Sequence, residues 1–310
     1  MAIVLGPNQY GKAETHLVRV YRDTDRHEIR DLTVSTSLRG DFTDAHRLGD
    51  QAHVLPTDSQ KNTVLAFAKE RGVGQIEDFA LALARHFVDD VEAVETARVD
   101  VDEHSWERIE VDGRPHDHAF VRGGAQTRTA TAVASGRGED ARVWVVTGLK
   151  DLALLKSTGS EFAGFATDRF TTLAETHDRV LATSLTARWR HGSTTLGAAG
   201  GPAVDWAGSF AAVRSTLLAT YARVHSLAMQ QTLWEMGKAV LELCPDVVEV
   251  RLSAPNKHHF LVDLAPFGLD NPGEVFFAAD RPYGLIQASA LRDDAPDPGP
   301  VWAEAPSAFV

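Results

Sequence analysis

The strongest constraint on the fold is an order of periodicities that occurs twice. In the first half, His16–Tyr21 and Ile29–Ser35 read as strands, Lys61–Arg71 and Ile76–Phe87 as helices, and Val91–Asp102 as strand again. The second helix carries the helical period in Ile76, Phe79, Leu83 and Phe87. In the second half, Arg142–Val146 and Val180–Trp189 read as strands, and Trp206–Val224 and Ser226–Leu243 as helices. Val247–Ser253 then alternates, with Val248, Val250 and Leu252 on one face and Glu249, Arg251 and Ser253 on the other. Such alternation describes a sheet covered on one face. Helices that come in adjacent pairs do not alternate with strands as a parallel nucleotide-binding sheet requires. The sequence also lacks both G-x-G-x-x-G and G-x-x-x-x-G-K-[ST]. The expected class is α+β, with antiparallel sheets and paired helices on one face.

The chain of 310 residues is long enough for two domains of roughly 150 residues each. The Gly-rich stretch Gly123–Gly138 reads as a loop between the halves, giving expected domains at residues 1–138 and 139–295. Gly192–Pro202 reads as a second loop. The end, Asp293–Val310, has four prolines, and residues 296–310 are expected as an extended or poorly ordered tail. The net charge of −12 disfavours nucleic acid and anionic membranes as partners. No apolar run reaches the roughly 18 residues of a spanning helix, and the first residues do not read as a signal peptide. The single Cys244 cannot form an internal disulfide, which fits a reducing, cytoplasmic location.

Taken by themselves, the polar clusters point weakly to chemistry. His116-Asp117-His118 has the composition of a metal clip, but a solvated turn accounts for it better, since no third ligand has a recognisable spacing. In His258-His259 the two rings should point to opposite faces of a strand. Cys244 has nothing nearby to activate it and reads as packing. Tyr10-Gly11-Lys12, Thr57–Thr63 and Pro255-Asn256-Lys257-His258 place polar residues against apolar runs. They read equally well as a surface lysine, a helix cap supplied by Ser59 or Asp58, and a turn.

A longer pattern is more specific. The run from Leu152 through Lys156-Ser-Thr-Gly-Ser-Glu-Phe162-Ala-Gly-Phe165, continuing to Phe170, Leu173 and Arg179, resembles the uricase signature along its whole length. The resemblance extends to Tyr10-Gly11-Lys12, Thr57–Thr63, Gln230 after Ser226-Leu-Ala-Met, and Asn256-Lys257-His258, and so covers the chain to about Gln287. It implies two tandem tunnelling-fold domains per chain, assembled into a homotetrameric barrel with sites at subunit interfaces. It implies urate as substrate, dioxygen as co-substrate, and no metal, flavin or haem. The family's catalytic residues fall on Lys12, Thr57 and His258. Its substrate contacts fall on Thr57, Asp58 through the backbone, Phe162, Arg179, Met229 through the backbone, Gln230 and Asn256. Met229 stands where the family pattern has a branched aliphatic residue, and Ser307-Ala-Phe-Val310 lacks the peroxisomal address of eukaryotic members.

Urate is a flat anion edged with N–H and C=O groups. Arg179 can offer it a planar fork of donors, Gln230 both a donor and an acceptor, and Phe162 a ring face. Two other readings share the architecture. One is a cyclohydrolase-like enzyme acting on a purine or pterin, which should carry metal-binding Cys and His residues; the lone Cys244 argues against it. The other is a non-catalytic purine binder, which would not need Lys12, Thr57 and His258 together.

Overall fold

Residues 2–192 and 204–303 are described by a computed structural model. The chain divides into two compact units, one of Met1–Gly148, Arg190–Ser209 and Ala295–Val310, the other of Leu149–Trp189 and Phe210–Asp294.

The first unit contains β1 (Thr15–Tyr21), β2 (Glu28–Gly40), α1 (Thr43–Arg47), α2 (Thr57–Glu70), α3 (Ile76–Asp90), β3 (Val94–His104), β4 (Trp106–Val111), β5 (Arg114–Arg122), β6 (Thr127–Ser135) and the start of β7 (Arg142–Lys156). Its main sheet runs β1-β2-β3-β6-β7, and β1/β2, β2/β3 and β3/β6 pair antiparallel. Alternate residues Leu32, Val34 and Leu38 of β2 are buried in one core with Val64 and Phe67 of α2 and Ile76, Phe79, Leu83 and Phe87 of α3. The four α3 residues are those that the 3.6-residue period places on one stripe. A buried ion pair locks the helix to the sheet. Glu77, fully buried, accepts hydrogen bonds from Arg128 Nη2 at 2.9 and 2.8 Å and from Thr147 Oγ1 at 2.9 Å.

The second unit continues β7 and adds most of β8 (Leu181–His191) and of α4 (Trp206–Arg223), with α5 (Met229–Leu243), β9 (Val247–Leu261) and β10 (Phe276–Leu291), in the strand order β7-β8-β9-β10. It has its own core, in which Leu149, Trp189, Leu217, Met236, Val240, Val250 and Leu252 are buried. Cys244 packs here, and burial, with the charge of Asp246, raises its thiol above the ordinary range.

Three expectations need correction. The stretch Gly123–Gly138 is not all loop, because Thr127–Ser135 forms β6, with Thr129–Ala134 buried. Its Ala- and Thr-rich composition reads as linker, yet small side chains suit a strand packed on both faces. His116-Asp117-His118 is not a turn but part of β5, which pairs with β4 across Asp112-Gly113. Both turn residues have positive φ, 50° and 72°, the geometry for which an Asp-Gly pair is selected. The described part of the tail is docked rather than extended. Gly299–Trp302 forms a 3-10 turn, Val301 is 1% exposed against Val133 and Val146, and Arg98 donates to the carbonyls of Val301 and Ala303. The expected loop Gly192–Pro202 lies, beyond Gly192, outside the described residues.

Candidate active site

In the first unit, Tyr10-Gly11-Lys12 lies against β2. Tyr10 and Leu38 exchange backbone hydrogen bonds, and the Thr36 amide donates to the Lys12 carbonyl at 2.9 Å. A Cβ at Gly11 would stand 1.8 Å from the Thr36 carbonyl oxygen, so only glycine permits this approach. The Lys12 amide donates to Thr36 Oγ1 at 3.2 Å, and that hydroxyl donates to Oε1 of the fully buried Gln60 at 2.7 Å. Gln60 stands one turn inside α2. The segment bearing Lys12 and the helix bearing Thr57 and Asp58 are therefore held by one buried polar chain.

The cap of α2 differs from the sequence expectation. Pro56 is the N-cap, with φ −52° and ψ 140°, and no side chain caps the helix. Thr57 and Asp58 occupy the first turn, where amides have no intrahelical acceptor and face outward to any anion. The Asp58 carboxylate accepts from Lys61 Nζ at 2.5 Å and from Asn62 at 3.0 Å. The Lys61 contact chiefly, with a smaller contribution from the charge of Lys12, holds its carboxyl below the usual range.

The second unit holds the rest. Phe162 and Thr176 exchange backbone hydrogen bonds at 2.8 and 3.0 Å. The Arg179 amide donates to the Ser160 carbonyl at 2.9 Å and its Nε to Ser160 Oγ at 3.3 Å. The guanidinium carbon then lies 5.3 Å from the centre of the Phe162 ring. Burial lowers the Arg179 pKa from a very high starting value. The Glu161 amide donates to the Ser226 carbonyl at 2.7 Å, and the Ser226 amide to Gly159 at 3.0 Å. Thr232 Oγ1 of α5 donates to Ser226 Oγ at 2.7 Å. The segment carrying Phe162 and Arg179 is thus stitched to the entry of α5, whose first two residues are the buried Met229 and the exposed Gln230.

Asn256 and His258 lie two residues apart on β9 and so share a face. Opposite them the register of β10 shifts, from Ala279 paired with His258 to Gly284 paired with Asn256. A bulge there re-aims side chains. The His258 ring stacks on Phe260, with centres 5.8 Å apart.

The expected residues therefore fall into two sets, Lys12, Thr57 and Asp58 in the first unit and Phe162, Arg179, Met229, Gln230, Asn256 and His258 in the second. The supporting residues Thr36 and Thr232 carry no sequence signal of their own, Ser160 and Ser226 lie inside the quoted motifs without a role assigned there, and Gln60 sits inside a motif that reads as a helix cap.

Tandem α+β units, each with paired helices on its sheet, define the tunnelling-fold class. The family model described as Uricase matches residues 8–133 and 145–287. The uricase of Arthrobacter globiformis is 51% identical over 301 residues, covering 97% of this chain and 94% of that protein. The uricase of Schizosaccharomyces pombe is 37% identical, covering 91% and 96%. The crystal structure of the Arthrobacter globiformis uricase superposes with a TM-score of 0.89 at 50% identity, covering 98% of this chain and 100% of that one. The chain belongs to the uricase family.

Proposed function

We infer that the chain oxidises urate with dioxygen and water to 5-hydroxyisourate and hydrogen peroxide, with the substrate itself supplying the electrons and no cofactor. Urate oxidase activity follows from membership of the family. The assignment of residues rests on the paired placement of Arg179 and Phe162, where a half-buried guanidinium is tied to Ser160 and set beside a ring face. That pair suits a planar anion, since the fork binds an edge while the ring fixes the plane. Gln230 reads a second edge by donating and accepting. Amides in the first turns of α2 and α5 supply the backbone contacts assigned to Asp58 and Met229.

Lys12 draws a proton from urate through the Thr57 hydroxyl, leaving the purine electron-rich enough to reduce dioxygen. Asn256 holds dioxygen and then water above the ring, and His258 moves protons as the hydroperoxide forms and is replaced. We propose a homotetramer in which Lys12, Thr57 and Asp58 of one subunit complete the site of a neighbour. That arrangement is the one family membership implies. A cytoplasmic location is proposed. Among the described residues no helix is long and apolar enough to cross a membrane, and the charge of −12 does not favour nucleic acid.

The test is a spectrophotometric trace of urate loss with peroxide detection, run on protein exhaustively chelated and dialysed. Full turnover with one peroxide per urate is expected. Turnover that vanishes on chelation and returns with a single metal would overturn the cofactor-free reading.

A further inference from the structure

The urate chemistry makes no use of a cluster on the first unit's sheet. His16, Asp31 and Thr33 alternate with the core residues Leu17 and Leu32 and so lie on the face turned away from α2 and α3. His104 pairs in register with Asp31 and stands on that face too. One ring nitrogen of each histidine and one Asp31 oxygen all lie within 4.8 Å of one another. Along β2, Asp31 is five residues from Thr36, which contacts Lys12, a separation of about 16 Å.

The surroundings resemble those of a ligand set. Asp31 is 3% exposed, and its Oδ2 is saturated by Trp106 Nε1 at 2.8 Å and Arg122 at 3.0 Å. Oδ1 is left toward the histidines, 2.6 Å from His16 Nε2. Thr33 Oγ1 lies 2.8 Å from His104 Nε2 and pins that ring, as outer contacts pin metal-binding imidazoles. The two rings are nearly perpendicular, with centres 5.8 Å apart. Imidazoles sharing one tetrahedral zinc have centres about 5 Å apart, given Zn–N bonds near 2 Å. Thr33 fixes the His104 ring beside the His16–Asp31 pair, although Arg122 already neutralises the acid. Arg122 also opposes a dication, and Asp102, whose charge acts on His104, offsets it.

We propose that His16, Asp31 and His104 bind a borderline divalent cation of the zinc type, with the fourth position left to water, and that the ion clamps β1, β2 and β3 without taking part in urate turnover. Two imidazoles and one carboxylate are the donor set such cations prefer.

The test titrates the full-length, chelator-treated protein with Co2+, followed by its visible absorption, and with Zn2+ by calorimetry. The expected result is one equivalent per chain, with a Tm raised by Zn2+. His16→Gln and His104→Gln should each abolish the site, and Thr33→Val should weaken it about tenfold. His16 is 61% exposed, so His16→Gln tests the site without endangering the fold. His116→Gln/His118→Gln and His225→Gln should bind as the parent does, and turnover of His16→Gln should be unchanged. Binding below one equivalent, undiminished binding in His16→Gln, or binding that disappears only in the His116/His118 or His225 variants would overturn the proposal.

Discussion

Arg179 and Lys12 are assigned different tasks, and their variants should fail differently. Lys12→Met and Thr57→Ala are expected to lose most turnover while still binding a non-reacting urate analogue, since both act on a proton. Arg179→Ala should lose analogue affinity by about 1.5–3 kcal/mol or more, the usual loss for a charge-assisted hydrogen bond. Equilibrium titration beside steady-state kinetics separates the two, and unchanged analogue affinity in Arg179→Ala would remove the clamp from the account. Cys244 should be inert. Its raised thiol leaves little thiolate at pH 8, so alkylation of the native protein should be far slower than that of the unfolded chain and should accelerate only above the ordinary thiol range. The residues proposed for the site are marked in the sequence only by long motifs. A lysine before a strand or a threonine opening a helix is ordinary by itself, and the hydroxyls of Thr36, Ser160 and Ser226 gain meaning only from partners distant in sequence.

Among the elements, the helices were the most legible, because a buried stripe imposes the 3.6-residue period directly, as in α3. The strands β4, β5, β6 and β10 were not. β6 is built from alanine and threonine that composition alone reads as linker, and β4 and β5 form a mostly exposed hairpin with no hydrophobic alternation. Only Asp112-Gly113 marked that hairpin. The docked turn Gly299–Trp302 was hidden for a related reason, since its anchor is an arginine some 200 positions earlier. The joint of α3 with the sheet yields a prediction. Glu77→Ala strips Arg128 and Thr147 of their shared buried acceptor. Breaking such a pair by removing one partner typically costs about 3–5 kcal/mol, read as a shift in the urea midpoint. A midpoint within experimental error of the parent would show that the pair contributes little to holding helix and sheet together.

For the whole molecule, the repeated order of elements told more than any single element. It fixed the class as α+β with two tandem units, and each unit has its own buried core. The assignment of Lys12, Thr57 and Asp58 to one subunit's contribution and Arg179 with its companions to the neighbour's is the central claim, and it has a direct test. Thr57→Ala and Arg179→Ala chains, each inactive alone, are co-expressed in equal amounts, and their mixing is confirmed by mass spectrometry. A site is whole only where the first contributor carries the Arg179 change and the second the Thr57 change. Random assortment in a symmetric assembly therefore restores about a quarter of the sites. Specific activity near one quarter of the parent's is the predicted result, and mixed oligomers as inactive as either variant alone would contradict the shared site.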